Sequence, residues 1–301
     1  MSRRLSTLRR YRDGVLQLAR SRRGRPPRPE AQPPEAPPGW SVGPPDFVGV
    51  GSARSGTTWW DELIHAHPDV VRAPGVPKEV HYFDRFWEGA FEGADADRYH
   101  RFFPRPAGKR AGEWTPGYAL DFWTPPLLRR AAPDARLLIL LRDPVERFRS
   151  GLTLTENRMT LNWTPRASAN GGFQRGVYAD QLQRIWAAFP REQVLVLQFE
   201  QCVRDPRGQL RRTFAFLGLD EAAADVIDVE RKVNETKVRK VTMSDWQRRL
   251  LVERYAPENA RLAELVPELD LSLWQSTPGD GPRSGDPSAT EARTASAGAR
   301  A

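Results

Sequence analysis

Cysteine is almost missing from this chain: of 301 residues, Cys202 stands alone. A single cysteine excludes an intramolecular disulfide and any metal site built on several thiolates, and it makes a reducing, cytoplasmic setting the simplest expectation. Long apolar runs are missing too. None approaches the ~20 residues a membrane-spanning helix requires, and no segment has the order of a signal peptide. A net excess of basic charge, despite the overall +8, is absent from the body of the chain. Residues 1–29 hold ten arginines (3, 4, 9, 10, 12, 20, 22, 23, 25 and 28) against one acid, Asp13, so the remainder carries about −1. Bulk charge therefore gives no reason to expect nucleic acid as a partner.

Proline is plentiful instead, with 27 residues, and mean hydropathy is low at −0.61. The proline clusters in 24–45, "GRPPRPEAQPPEAPPGWSVGPP", which has no apolar periodicity and reads as an extended linker. The stretch 275–301 is small, polar and unpatterned, as a disordered tail would be. Three parts follow: a basic arm and linker over 1–45, expected to be disordered; one folded domain over 46–274; and a tail. The arm has helical spacing at Leu5, Leu8, Val15, Leu16 and Ala19, so peripheral contact with an anionic membrane is one reading. A solvated arm is the plainer one, and Gly14 in mid-helix favours it.

Within the body, short β-rich runs alternate with helical segments, which predicts an α/β fold with a parallel sheet. Strands are predicted over 46–50, 136–141 and 193–199. Helices are predicted over 57–66, 95–103, 125–132, 144–157, 177–189, 206–217, 244–255 and 257–266. Such a sheet binds ligands at the carboxyl ends of its strands, where the loop at 51–58 and the "RDP" at 142–144 both fall.

"GSARSGTTWW", residues 51–60, follows the first strand and opens a helix, so its N–H groups and the helix dipole converge on one point. Ser55, Thr57 and Thr58 add hydroxyls. A nucleoside-triphosphate loop would place lysine directly after Gly56; here Thr57 stands there and the basic residue is Arg54. "LLILLRDPVERFRSG" ends its strand in Arg142 rather than a magnesium-binding acid, a fork suited to a second phosphate bound without metal. Ser150, about two helical turns on, is placed to join it, while pairing of Arg142 with Glu146 is the structural alternative. "KEVHYFD", 78–84, sets a carboxylate beside a histidine. If extended, Glu79 and His81 share one face with Lys78 on the other, and desolvation would raise the Glu79 pKa as suits a base. Ordinary surface charges are the alternative there.

These motifs resemble the sulfotransferases that use 3′-phosphoadenosine 5′-phosphosulfate, closest to the heparan-sulfate glucosaminyl type and its bacterial relatives. The likeness spans roughly 46–274 and implies the P-loop-like sulfotransferase fold, a central parallel sheet flanked by helices. It implies that "GSARSGTTWW" holds the 5′-phosphosulfate through Arg54, Ser55, Gly56, Thr57 and Thr58. "LRDPVERFRS" would hold the 3′-phosphate through Arg142 and Ser150, and "KEVHYFD", close to the family's "KEVHFFD", would supply Glu79 as base with His81 assisting. "NETKVRK" resembles the loop that closes over the nucleotide, making Lys237 and Arg239 candidate contacts.

Two departures stand out. The family's "EKTP" reads "EWTP" at 113–116, so Trp114 replaces a substrate-binding lysine and is expected to stack on a flat or apolar acceptor; and no cysteine pair lies near the late loop. Both argue against a luminal enzyme acting on highly anionic heparan sulfate. The implied reaction is metal-free sulfuryl transfer to an acceptor hydroxyl of a glycan, glycolipid or small molecule, with Lys78 available to the acceptor. A P-loop nucleotide kinase, and a non-catalytic nucleotide-binding or membrane-associated protein, are the alternatives.

Overall fold

The computed structural model describes residues 31–158, 165–230, 240–274 and 276. Its described residues form a parallel five-stranded sheet of order β2-β3-β1-β4-β5. The strands are β1 Phe47–Gly51, β2 Val70–Val71, β3 Arg110–Trp114, β4 Arg136–Leu141 and β5 Val194–Gln198. Helices α1 Thr57–His65, α2 Gly93–His100, α3 Thr124–Ala131, α4 Pro144–Arg158, α5 Pro165–Gln174, α6 Tyr178–Ala188, α7 Phe199–Arg204, α8 Pro206–Leu217 and α9 Asp245–Leu265 surround it. The expected α/β architecture is present.

β4 shows why the sheet sits at the centre. Leu137, Ile139 and Leu141 enter one apolar cluster, Leu138 and Leu140 the other, and all five are fully buried. A parallel strand covered on both faces needs an unbroken apolar run, not an alternating one. At about 1.5–3 kcal/mol for each buried aliphatic side chain, this strand contributes on the order of 10 kcal/mol before conformational entropy is subtracted. On the Leu137 face lie Tyr99 of α2, Leu128 of α3, Tyr178 and Leu182 of α6 and Leu262 of α9. On the Leu138 face lie Trp60 and Ile64 of α1, Cys202 of α7 and Phe214 of α8.

Several expectations are corrected. β2 and β3 went unpredicted, as did α5 and α7. The two helices expected at 244–255 and 257–266 are one, α9, which continues through Pro257 with Leu251, Tyr255, Asn259 and Leu262 buried along it. The segment 31–45 is not a detached linker: Ala31 and Trp40 pack on the core, and Ser41 bridges to Arg105. At the other end the described contacts run past residue 274, because buried Ser276 hydrogen-bonds Asp143.

Residues 78–84 are not a strand. His81 takes a left-handed conformation, φ 55°, and Tyr82–Trp87 form a 3₁₀ turn. This breaks the two-residue periodicity on which the expected split of Glu79 and His81 from Lys78 relied.

Candidate active site

The loop between β1 and α1 is built for an anion. Gly56, the residue before α1, has φ 89°, and a Cβ there would lie 2.7 Å from the Phe199 ring, so neither the conformation nor the space admits a side chain. No side chain caps α1, and the N–H groups of its first turn have no carbonyl within the helix. Beside them, the hydroxyls of Ser52 and Ser55 are buried without a hydrogen-bond partner. Buried hydroxyls are nearly always paired; two orphans aimed around an uncapped helix start fit a phosphate or phosphosulfate.

Basic groups rim this loop. Arg54 Nε donates to Ser150 Oγ at 3.1 Å, which ties the loop to α4. Arg142, at the end of β4, donates to the Arg54 carbonyl at 3.4 Å and lies over the Phe199 ring, 4.7 Å from its centre. The structural alternative for Arg142 is absent from the described contacts: Glu146 pairs with Arg149 and Arg248. The Arg142 carbonyl accepts from Tyr178 Oη at 2.8 Å. Arg54, Ser55, Gly56, Thr57, Thr58, Arg142 and Ser150 are therefore brought to one place. Lys237 and Arg239 lie outside the described residues.

Lys78 links this anion site to the carboxylate. Its Nζ donates to Thr57 Oγ1 and to Glu79 Oε1, both at 3.4 Å. Glu79 Oε2 in turn meets His81 Nε2 at 3.0 Å, and His81 Nδ1 meets Asp84 Oδ2 at 3.0 Å. Both ring nitrogens face carboxylates, so both contacts are donated together only by the doubly protonated ring. The expected upward shift of Glu79 is reversed. The hydrogen bond from His81 outweighs desolvation and, with the charge of Lys78, holds the carboxyl below the ordinary glutamate range. Glu79 is thus ionised at neutral pH, the state in which a carboxylate can accept a proton.

A buried group missed in the sequence holds this segment. Glu113, fully buried on β3, accepts from Tyr99 Oη at 2.7 Å, Tyr118 Oη at 3.2 Å, Thr115 Oγ1 at 2.5 Å and the N–H of Val80 at 3.0 Å. Thr115 Oγ1 accepts from the His81 N–H at 3.2 Å, and Tyr118 Oη from the Tyr82 N–H at 2.8 Å. Three consecutive main-chain donors around His81 are thereby caught by "EWTPGY". Burial pushes the Glu113 carboxyl up, against these four hydrogen bonds.

Trp114 does not stack on an acceptor. It is fully buried, donates from Nε1 to the Gly51 carbonyl at 3.0 Å, and lies so close over β1 that a Cβ on Gly49 would fall 2.0 Å from its ring. On a sheet covered on both sides, the position after Glu113 turns into the opposite core.

Residues 94–223 match the model of the sulfotransferase family. The chain carries a sulfotransferase-family domain. It is 31% identical over 194 residues to heparan sulfate glucosamine 3-O-sulfotransferase 3B1 of Mus musculus, covering 60% of this chain and 48% of that protein. Against the human heparan sulfate glucosamine 3-O-sulfotransferase 6 it is 30% identical over 198 residues, 60% of this chain and 54% of that one. The chain thus spans about half the length of the curated relatives it matches. Among solved structures, a sulfotransferase from Alicyclobacillus acidocaldarius superposes with a TM-score of 0.59 at 28% identity, over 78% of this chain and all of that one. The family stretch contains Glu113, Arg142 and Ser150, while the loop 51–58 and Lys78, Glu79 and His81 precede it.

Proposed function

We propose that this domain transfers a sulfuryl group from 3′-phosphoadenosine 5′-phosphosulfate to an acceptor hydroxyl, without a metal. The observation that carries this reading is Lys78, which touches both Thr57 of the anion loop and Glu79, so a cation lies between the donor's seat and an ionised base. The orphaned Ser52 and Ser55 hydroxyls and the open turn of α1 suit the 5′-phosphosulfate, and Arg142 with Ser150 suits the 3′-phosphate.

The donor supplies a sulfuryl group whose bond to the 5′-phosphate oxygen breaks as the acceptor oxygen bonds to sulfur. Glu79 takes the acceptor's proton. His81 orients Glu79, and Asp84 orients His81 through the far ring nitrogen. Arg54, Lys78 and the α1 N–H groups neutralise charge growing on the departing phosphate; preorganised donors of this kind are worth about 10²–10³-fold each. Arg54 stays protonated at neutral pH and works by charge and hydrogen bonding, not as an acid.

Thermal unfolding with adenosine 3′,5′-bisphosphate, compared with ATP plus Mg²⁺, tests the reading. Ligand at ~100 times its Kd adds about 2.7 kcal/mol, which for a domain of this size raises Tm by about 5–10 °C. We expect that rise with the bisphosphate and no metal. A rise with Mg-ATP alone overturns the proposal in favour of a kinase.

A further inference from the structure

Trp87 and Phe122 are 63% and 60% exposed, beside the half-buried Trp123. The three rings form one cluster: centroids lie 5.8 Å apart for Trp87 and Phe122, 5.2 Å for Trp87 and Trp123, and 5.2 Å for Phe122 and Trp123. Contiguous exposed aromatic surface of this kind marks a contact site and not a stray core residue. The cluster is anchored, since Trp123 Nε1 donates to the Phe83 carbonyl at 3.1 Å.

Its position ties it to the base. Trp87 follows Asp84 by three residues on one 3₁₀ turn, where positions i and i+3 eclipse, and Asp84 holds His81. Phe122 and Trp123 follow Asp121, whose carboxyl feels both Asp84 and His81 and is pushed up by burial and by Asp84. The rings therefore adjoin in sequence both Asp84, the end of the Glu79–His81–Asp84 chain, and Asp121 beside it.

Charge then narrows the occupant. Exposed Asp84 and Glu88 lie within three residues of Trp87 in sequence, and Asp121 directly precedes Phe122. Two cations near these groups are engaged: Arg85, two residues before Trp87, with Asp95 at 2.7 Å, and Arg175 with the charge of Asp121. Carboxylates repel a polyanion, while aromatic faces reward a flat apolar one.

We infer that Trp87, Phe122 and Trp123 form the acceptor subsite, and that it takes an uncharged hydroxyl compound presenting an aromatic or apolar face. This deepens the sulfuryl-transfer reading and rests on it. The chemistry differs from what the names of the heparan-sulfate relatives describe, and it moves aromatic recognition from Trp114 to residues at the surface.

The test uses the full chain saturated with adenosine 3′,5′-bisphosphate and titrated with 2-naphthol, with binding read from tryptophan fluorescence. In parallel, sulfuryl transfer to 2-naphthol is compared with transfer to an N-sulfated heparan oligosaccharide. The inference expects saturable quenching, preference for 2-naphthol, and at least a tenfold loss of 2-naphthol affinity in Trp87→Ala/Phe122→Ala. Both positions are exposed, and the bisphosphate-induced Tm rise should survive in that variant. Absent quenching, quenching that survives the double substitution, or preference for the oligosaccharide overturns the subsite. A missing bisphosphate response in the parent chain instead removes the sulfuryl-transfer reading on which it rests.

Discussion

Glu113→Ala removes an acceptor that four donors share, and its effect can be worked from the contacts. The Val80 N–H is fixed in the backbone and cannot turn to another partner, so leaving it buried and unmet costs about 1–3 kcal/mol. The hydroxyls of Tyr99, Tyr118 and Thr115 lose their common acceptor at the same time, and the truncated side chain leaves a void. Breaking a buried network of this kind costs about 3–5 kcal/mol in total, or roughly 6–20 °C in Tm. Glu113→Gln should cost only about 1–2 kcal/mol. Its amide oxygen can face Val80 and Thr115, while the tyrosine hydroxyls rotate to accept from the amide nitrogen. Thermal denaturation followed by circular dichroism measures both. Kinetics at a temperature where both variants are folded supply a readout that a merely structural group would not move. Freeing the Val80 N–H, and loosening the Thr115 and Tyr118 hydroxyls that hold the His81 and Tyr82 N–H groups, should lower kcat about tenfold or more in the alanine variant, on the scale of misplaced catalytic groups, with donor KM unchanged and glutamine restoring most of the loss. An alanine variant that melts within about 2 °C of the parent, or one that is destabilised yet keeps its kcat, refutes the reasoning.

Three further outcomes are expected. Glu79→Gln should cut turnover by about 10²–10⁴-fold and leave bisphosphate affinity intact by calorimetry; loss of that affinity would deny Glu79 the role of base. Gly56→Ala places a methyl against the Phe199 ring and forces a positive φ, so the bisphosphate-induced Tm rise should disappear while the protein remains folded by circular dichroism. Asp121 is pushed up to about 6 by burial and then by Asp84. An acid raised in the folded state contributes stability that is fully present below its ordinary value of 3.8 and lost as pH rises through about 6. Asp121→Asn should therefore gain stability relative to the parent between pH 4 and 7, and an unchanged difference across that window would contradict the shift.

The legible parts of the sequence were those where physics acts locally. "RLLILL" has to be buried on both faces, and the strand–glycine–helix order of 47–60 converges main-chain donors whatever the rest of the fold does. β3, "RAGEW", carries no β-branched residue and includes both a glycine and an acid, so its strand character comes from its neighbours in the sheet. The acid–histidine pair was visible in "KEVHYFD", but its geometry was not. The left-handed backbone at His81 brings Lys78, Glu79 and Asp84 together in a way no simple period describes. Trp114 was misread because a motif column does not reveal which face of a doubly covered strand a residue occupies. The anchoring role of Glu113 depends on tyrosines from α2 and from the turn after β3, and only tertiary packing joins them.

Asp143, directly after Arg142, caps α4 through the Val145 N–H at 2.9 Å and accepts from both the N–H and the hydroxyl of Ser276, at 3.1 and 2.8 Å. Trp274 Nε1 donates to Glu200 Oε2 at 2.9 Å, and Glu200 Oε1 accepts from the Asp143 N–H at 3.0 Å. The far end of the described residues is thus a clasp on the turn that presents Arg142. A protease cutting after Trp274, or a fusion partner pulling on Ser276, would act on the placement of Arg142 from a point well over a hundred residues away in sequence. Under the proposed function, the last described residues and the seat of the donor are one mechanical unit.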